Sequence, residues 1–151
     1  MPMPWTFRHP GKEWTAFLDD IREIMDTPSS NVAYTAAEGV FAAFRARLSI
    51  QTALDFAQVL PSVPRALFVQ GWRVADPLPW AGPDDYLAEV RALRADHNFV
   101  SDNAVEAVSY ALHRALRPGD LDRALARIGP EAQAFWRLEG YAPEDLAPGI
   151  R

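Results

Sequence analysis

The sequence has no cysteine, only one lysine (Lys12), and no apolar run approaching the length of a membrane span. Without cysteine there is no disulfide, no thiolate nucleophile and no thiolate metal ligand, and the absence fits a reducing compartment. A membrane helix needs about 18 or more consecutive apolar residues. The start, Met1-Pro2-Met3-Pro4-Trp5, has no apolar stretch of signal-peptide kind, so the expected location is cytoplasmic. Gly-x-Ser-x-Gly, a glycine-rich run before a helix and Gly-Lys-Ser/Thr are all missing, which leaves no nucleophile elbow and no phosphate cradle. Histidine is scarce: His9, His97 and His113 never fall at the i, i+4 spacing that sets two ligands on one helix face. His97, between Asp96 and Asn98, reads as a helix-end residue favoured by the dipole. A nucleophile, base and orienting group cannot be assembled from these residues, so no enzyme, cofactor or metal is expected.

Positive charge is also short. Basic residues number 15 against 20 acidic ones, a formal net charge of −5. Residues 1–75 are balanced at seven of each sign, and residues 76–151 carry eight basic and thirteen acidic groups. Tight binding to nucleic acid draws on phosphate neutralisation, so no nucleic-acid partner is expected. An acidic half is likewise repelled by an anionic membrane. Arg114, Arg117, Arg123 and Arg127 form the densest basic group, read as a solvated face partly neutralised by Asp120 and Asp122. Asp19 and Asp20 read as a solvated face in mid-helix, and Asp84 and Asp85 as dipole-favoured charges at a helix start.

What the chain has in quantity is apolar periodicity. Its 151 residues are 49% hydrophobic and 23% charged, which suits one globular domain with an adequate core. The apolar residues recur at helical spacing and no period-2 strand is found. Trp14, Phe17, Leu18, Ile21 and Met25 share one face of a first helix, and Ala37, Val40, Phe41, Phe44 and Leu48 one of a second, with Ser29 or Ser30 as cap. Ser49 caps a third helix with Ala53, Phe56, Ala57 and Leu60 inward, and Pro61 ends it. Ser62 opens a fourth that stops at Gly71. After a proline-rich linker, Tyr86, Val90 and Leu93 mark a fifth helix. Ser101 caps a sixth, Pro118-Gly119-Asp120 turns into a seventh, and Gly129-Pro130 opens an eighth that ends at Gly140.

The two groups of helices resemble one another. A shift of 68 pairs Val40 with Val108, Phe44 with Leu112, Leu48 with Leu116, Leu67 with Phe135 and Phe68 with Trp136, without a gap. Upstream, a shift of 72 pairs Trp14 with Tyr86 and Leu18 with Val90. The expected fold is therefore all-α, a single domain of eight helices in two four-helix repeats about an approximate internal two-fold. Repeat one spans about residues 12–72, the linker 73–83, repeat two about 84–141 and a tail 142–151.

The segments Ala57-Gln58-Val59-Leu60-Pro61 and Arg65-Ala66-Leu67-Phe68-Val69-Gln70-Gly71-Trp72 carry a further resemblance. With Tyr34-Thr35-Ala36 and Arg45-Ala46-Arg47-Leu48, they resemble the hallmark of a family of uncharacterised bacterial proteins, a conserved domain of unknown function. That hallmark runs Ala-Gln-Leu-Pro, then Arg, then Gly-Trp, and the likeness covers roughly residues 12–141. Val59 before Leu60-Pro61, Pro64 at an aliphatic position and Val69 at an aromatic one depart from the pattern. The resemblance implies an all-helical cytoplasmic protein and brings no catalytic residue.

The functional expectation is a non-catalytic interaction or regulatory module with a protein partner. The alternative is a small apolar ligand held in a pocket between the two repeats. Arg65, Phe68, Trp72, Phe135 and Trp136, at equivalent ends of the repeats, are the candidate surface, set against a simple role in the core. Trp5 and Trp80, in proline-rich segments, either lock those segments onto the helices or expose an interaction surface.

Overall fold

The computed structural model describes residues 2–94, 96 and 99–148, and every regular element among them is helical. A short α1 (Trp5–Arg8) leads into α2 (Pro10–Met25), α3 (Ser30–Arg45), α4 (Ile50–Ala57) and α5 (Ser62–Val69). An extended stretch precedes α6 (Pro83–Ala92), α7 (Ala104–Ala115), α8 (Asp120–Ile128) and α9 (Pro130–Trp136), and a 3-10 turn follows at Pro143–Leu146.

Local chemistry sets most boundaries. The Ser29 hydroxyl accepts from the Val32 N–H at 3.2 Å and Ser49 from Thr52 at 3.3 Å, each satisfying a first-turn donor. Pro10, Pro83 and Pro130 occupy first-turn positions, where the missing N–H is harmless. Gly71 ends the α5 segment at φ +66°, a conformation in which a Cβ is strained.

The structure departs from the sequence reading at several points. α1 makes nine helices among the described residues, not eight, and it ties down the proline-rich N-terminal arm. Thr6 accepts from the Ser62 N–H and takes the Ser62 hydroxyl on its carbonyl, both at 2.6 Å. The sixth expected helix starts at Ala104, two residues late, because Ser101 bonds Asn103 instead of capping. The last expected helix ends at Trp136, not Gly140. Leu93 is exposed, since α6 stops at Ala92 and turns it outward. Asp20 is no solvated charge: it is buried and accepts from Arg114 Nε at 3.2 Å, joining α2 to α7. Arg114 therefore leaves the solvated basic face, and its other donors hold the carbonyls of Asp145 and Ala147. The motif around His97 lies outside the described residues.

The two halves exchange partners. α2 packs on α7, α6 on α3, α3 on α7 and α4 on α8, so each half covers its apolar faces with helices of the other. α3 and α6 approach closely because Gly39 faces Val90: a Cβ at position 39 would sit 2.7 Å from Val90 Cγ1 and 3.1 Å from its Cα. At the centre lies an aromatic cluster. The Phe44 ring is 4.9 Å from Phe56, 5.1 Å from Phe135 and 5.3 Å from Trp136, and Phe68 lies 5.3 Å from Phe56. Each such side chain removes roughly 150–250 Å² from water, which makes this cluster the main source of stability.

A buried ion pair crosses between the halves. Arg47, its side chain 4% exposed, clamps both Glu89 oxygens at 2.7 and 2.6 Å. It also donates to the carbonyls of Ala43 and Pro79 and lies 4.8 Å from the Tyr86 ring centroid. That geometry fastens the end of α3, the extended linker and α6 at one point.

Candidate functional site

The sequence-predicted candidates separate in space. Phe68 and Trp136 are buried in the aromatic cluster, their surfaces given to Phe41, Phe44 and Phe56. Trp136 Nε1 is buried with no hydrogen-bond partner among the described residues, while its carbonyl accepts from Ser109 at 2.6 Å. Arg65 turns toward the end of α4, donating to Ala57 O at 3.0 Å and Leu60 O at 2.9 Å. It thus supplies donors for carbonyls that a helix end leaves unpaired. Trp72 is half-buried at the edge of the core, with the Arg45 guanidinium 5.5 Å from its ring. Arg45 donates to Phe68 O at 2.7 Å, and burial lowers its pKa from the ordinary arginine value. Phe68 and Trp136 therefore pack as core, and the five candidates do not line one shared pocket. Of the five candidates, only Phe135 reaches the largest concavity described.

That concavity, of about 680 Å³, lies to one side of the core, between the linker and helices α6, α7 and α9. Its floor is aromatic and aliphatic: Trp80 and Ala81 from the linker, Tyr86 and Leu87 from α6, Val105 from α7, and Ala134 and Phe135 from α9. The floor is fixed from behind. Phe135 lies 4.6 Å from the Tyr86 ring and Trp80 5.9 Å from Phe44. Tyr86 Oη accepts from the Ala81 N–H at 2.8 Å, and the Arg47–Glu89 clasp holds the Pro79 carbonyl. Trp80 is thus half-buried and locks the linker, whereas Trp5 stays 39% exposed beside His9.

The rim is acidic. Asp102 lies just before α7 and Glu106 in its first turn, Glu131 in the first turn of α9, and Glu139 in the segment after it, against one basic group, Arg137. Asp102 pairs with Arg91 at 2.7 Å, and Glu106 accepts from Tyr141 Oη at 3.1 Å. Glu131 and Glu139 form no ion pair among the described residues. Desolvation, and then the bond to Glu106, push the Tyr141 phenol up to about 12. Asn103 donates to the Ile24 carbonyl at 2.9 Å, which anchors the mouth of the groove to α2. The arrangement offers an apolar floor and scattered charge, which is equipment for binding.

The sequence points to two of the groove's residues, Phe135 as a candidate and Trp80 as a residue that locks the linker or exposes a surface, whereas Tyr86 reads only as an apolar stripe position. The signal available was the acidic second half, whose charges surround this floor.

The fold is all-helical with a groove beside its core, and among the described residues no helix is long and apolar enough to cross a membrane. The chain belongs to the family described as uncharacterized conserved protein, DUF2267, whose model matches residues 14–135. No curated protein matches it.

Proposed function

We propose that this protein is a non-catalytic interaction module that holds a partner protein in the groove between the linker and helices α6, α7 and α9. The observation carrying this reading is the groove itself: a concavity backed by the buried rings of Tyr86 and Phe135 and the half-buried Trp80, pinned from behind by the core and the Arg47–Glu89 clasp. A pre-formed, largely apolar concavity with a few polar groups at its edge is the usual form of a binding site. The test is site-specific photo-crosslinking. A benzophenone amino acid in place of Ala134, exposed on the groove floor, should yield a discrete protein adduct in cell extract. The same residue at exposed Leu54 on α4 should not. Equal adducts from both positions would remove the groove from the proposal.

A second reading, a small apolar ligand, is favoured by volume: about 680 Å³ falls inside the roughly 300–1,000 Å³ typical of small-molecule sites. Native mass spectrometry of the purified protein separates the two, since a retained metabolite adds a fixed small mass.

A further inference from the structure

We infer that the groove takes a basic amphipathic segment of a partner protein, one that lays an apolar side on the floor and sets arginine or lysine against the rim. This rests on the proposed interaction role and adds the chemistry of the partner. The floor, from Trp80, Tyr86, Leu87, Ala134 and Phe135, asks for apolar side chains. The rim decides their company. Its four carboxylates come from three separate segments: the entry and first turn of α7, the first turn of α9 and the chain beyond α9. A single small cation meets one of these positions, whereas a segment with several basic side chains meets them together. Arg91 answers Asp102 and Tyr141 answers Glu106, but Glu131 and Glu139 have no ion pair among the described residues. An acidic partner would bring like charge to four of the five charged rim groups, a penalty that excludes wrong partners. The excess negative charge of residues 76–151 extends the same field and speeds encounter with a basic segment. Arg137 is the exception, a like charge that a basic segment has to keep away from its own cations.

The test uses the full chain and a fluorescein-labelled helical peptide of about sixteen residues, roughly four turns, with leucine at i, i+3, i+4 and i+7 and lysine or arginine elsewhere. A matched peptide carries glutamate at every basic position. Anisotropy should show binding of the basic peptide and at least about tenfold weaker binding of the acidic one, with the complex weakening as salt is raised. Ala134→Trp, which fills the groove from an exposed position, should weaken the basic peptide about tenfold or more. The pair Glu131→Gln and Glu139→Gln should weaken it several-fold, and thermal melts of each variant should match the parent. Equal binding of both peptides, still lost in Ala134→Trp, overturns the basic chemistry and leaves the groove as an interaction site. Binding that Ala134→Trp does not disturb places the peptide elsewhere and overturns the inference together with the groove reading. Binding of neither peptide, with or without uptake of the neutral fluorophore N-phenyl-1-naphthylamine, overturns the segment; uptake points to the small-ligand reading.

Discussion

The ends of α5 and α9 stand at matching positions in the sequence register, yet one is largely covered, with a concavity of about 540 Å³ beside Tyr34, and the other opens on the larger groove. Beside α5, Trp14 and Tyr34 pack edge to face with centroids 6.5 Å apart, and Tyr34 Oη donates to Glu38. Trp72 lies under Arg45, Arg65 covers the end of α4, and Thr6 of the N-terminal arm bonds Ser62. Shifting by 68 or 72 residues puts Tyr86 where Trp14 stands, Asp102 for Tyr34, Gln133 for Arg65 and Gly140 for Trp72. Asp102, Gln133 and Gly140 are smaller than the residues they stand for, and of the four positions Tyr86 and Asp102 line the groove. The apolar register of the two halves is shared, and the side chains that close one end are the ones that differ.

The largest effect that sharpens this comparison belongs to neither end, because both depend on the common cluster. Trp136→Ala should cost about 3–5 kcal/mol, as truncation of a buried aromatic does. Trp136→Phe should cost no more than about 1.5 kcal/mol, since it also removes an unpartnered buried N–H, a group that is itself expensive. Urea unfolding of the two variants measures both. Next comes the clasp between halves: Glu89→Ala leaves the Arg47 guanidinium buried without its carboxylate. Because the Glu89 side chain is 35% exposed, the loss should be about 2–3 kcal/mol, below the full cost of breaking a buried pair.

The direct contrast between the ends is Trp72→Ala against Ala134→Trp. Removing the half-buried Trp72 from the covered end should cost about 1–3 kcal/mol, short of a fully buried tryptophan. Adding a ring at exposed Ala134 on the open end should change stability by no more than about 0.5 kcal/mol. Comparable losses in thermal melts would mean that the open end is packed like the covered one. The smallest effect concerns Tyr141. Its folded pKa of about 12 lies above the unfolded value of about 10. Its contribution is therefore complete below pH ~10 and disappears as pH rises from ~10 to ~12. Absorbance at 295 nm, parent minus Tyr141→Phe, should titrate in that upper window; a midpoint near 10 would mean that Glu106 does not hold the phenol.

Helix identity was legible because it depends on local chemistry. The spacing of Phe17, Ile21 and Met25, the caps Ser29 and Ser49, and Gly71 are all readable along the chain. Arg65 entered as a candidate for the surface, and its donors go to the carbonyls of Ala57 and Leu60. Boundaries failed where a side chain chose a different partner, as Ser101 did with Asn103. Long-range pairing was hidden altogether. Nothing in Asp19-Asp20 shows that one carboxylate meets Arg114 across the fold, or that Arg47 finds Glu89 forty-two residues on. Gly39, in the interior of α3, was the overlooked clue: a glycine there weakens the helix unless another backbone needs its space, and Val90 does. The groove was illegible because its walls are set by tertiary packing, and composition recorded only its charge.

The exchange of helices between halves has a consequence for how the chain is made. During synthesis residues 1–72 leave the ribosome first, yet the faces of α2 and α3 that carry Phe17, Phe41 and Phe44 are covered by α6, α7 and α9. Until those helices emerge, the nascent first half presents an aromatic surface to solvent or to chaperones. Contacts of such sequence separation slow folding, because the loop between them must close before they return any energy. The extended linker shortens that search: the Leu78 N–H already bonds the Ala46 carbonyl at 2.8 Å, which leads the newly made α6 back along α3.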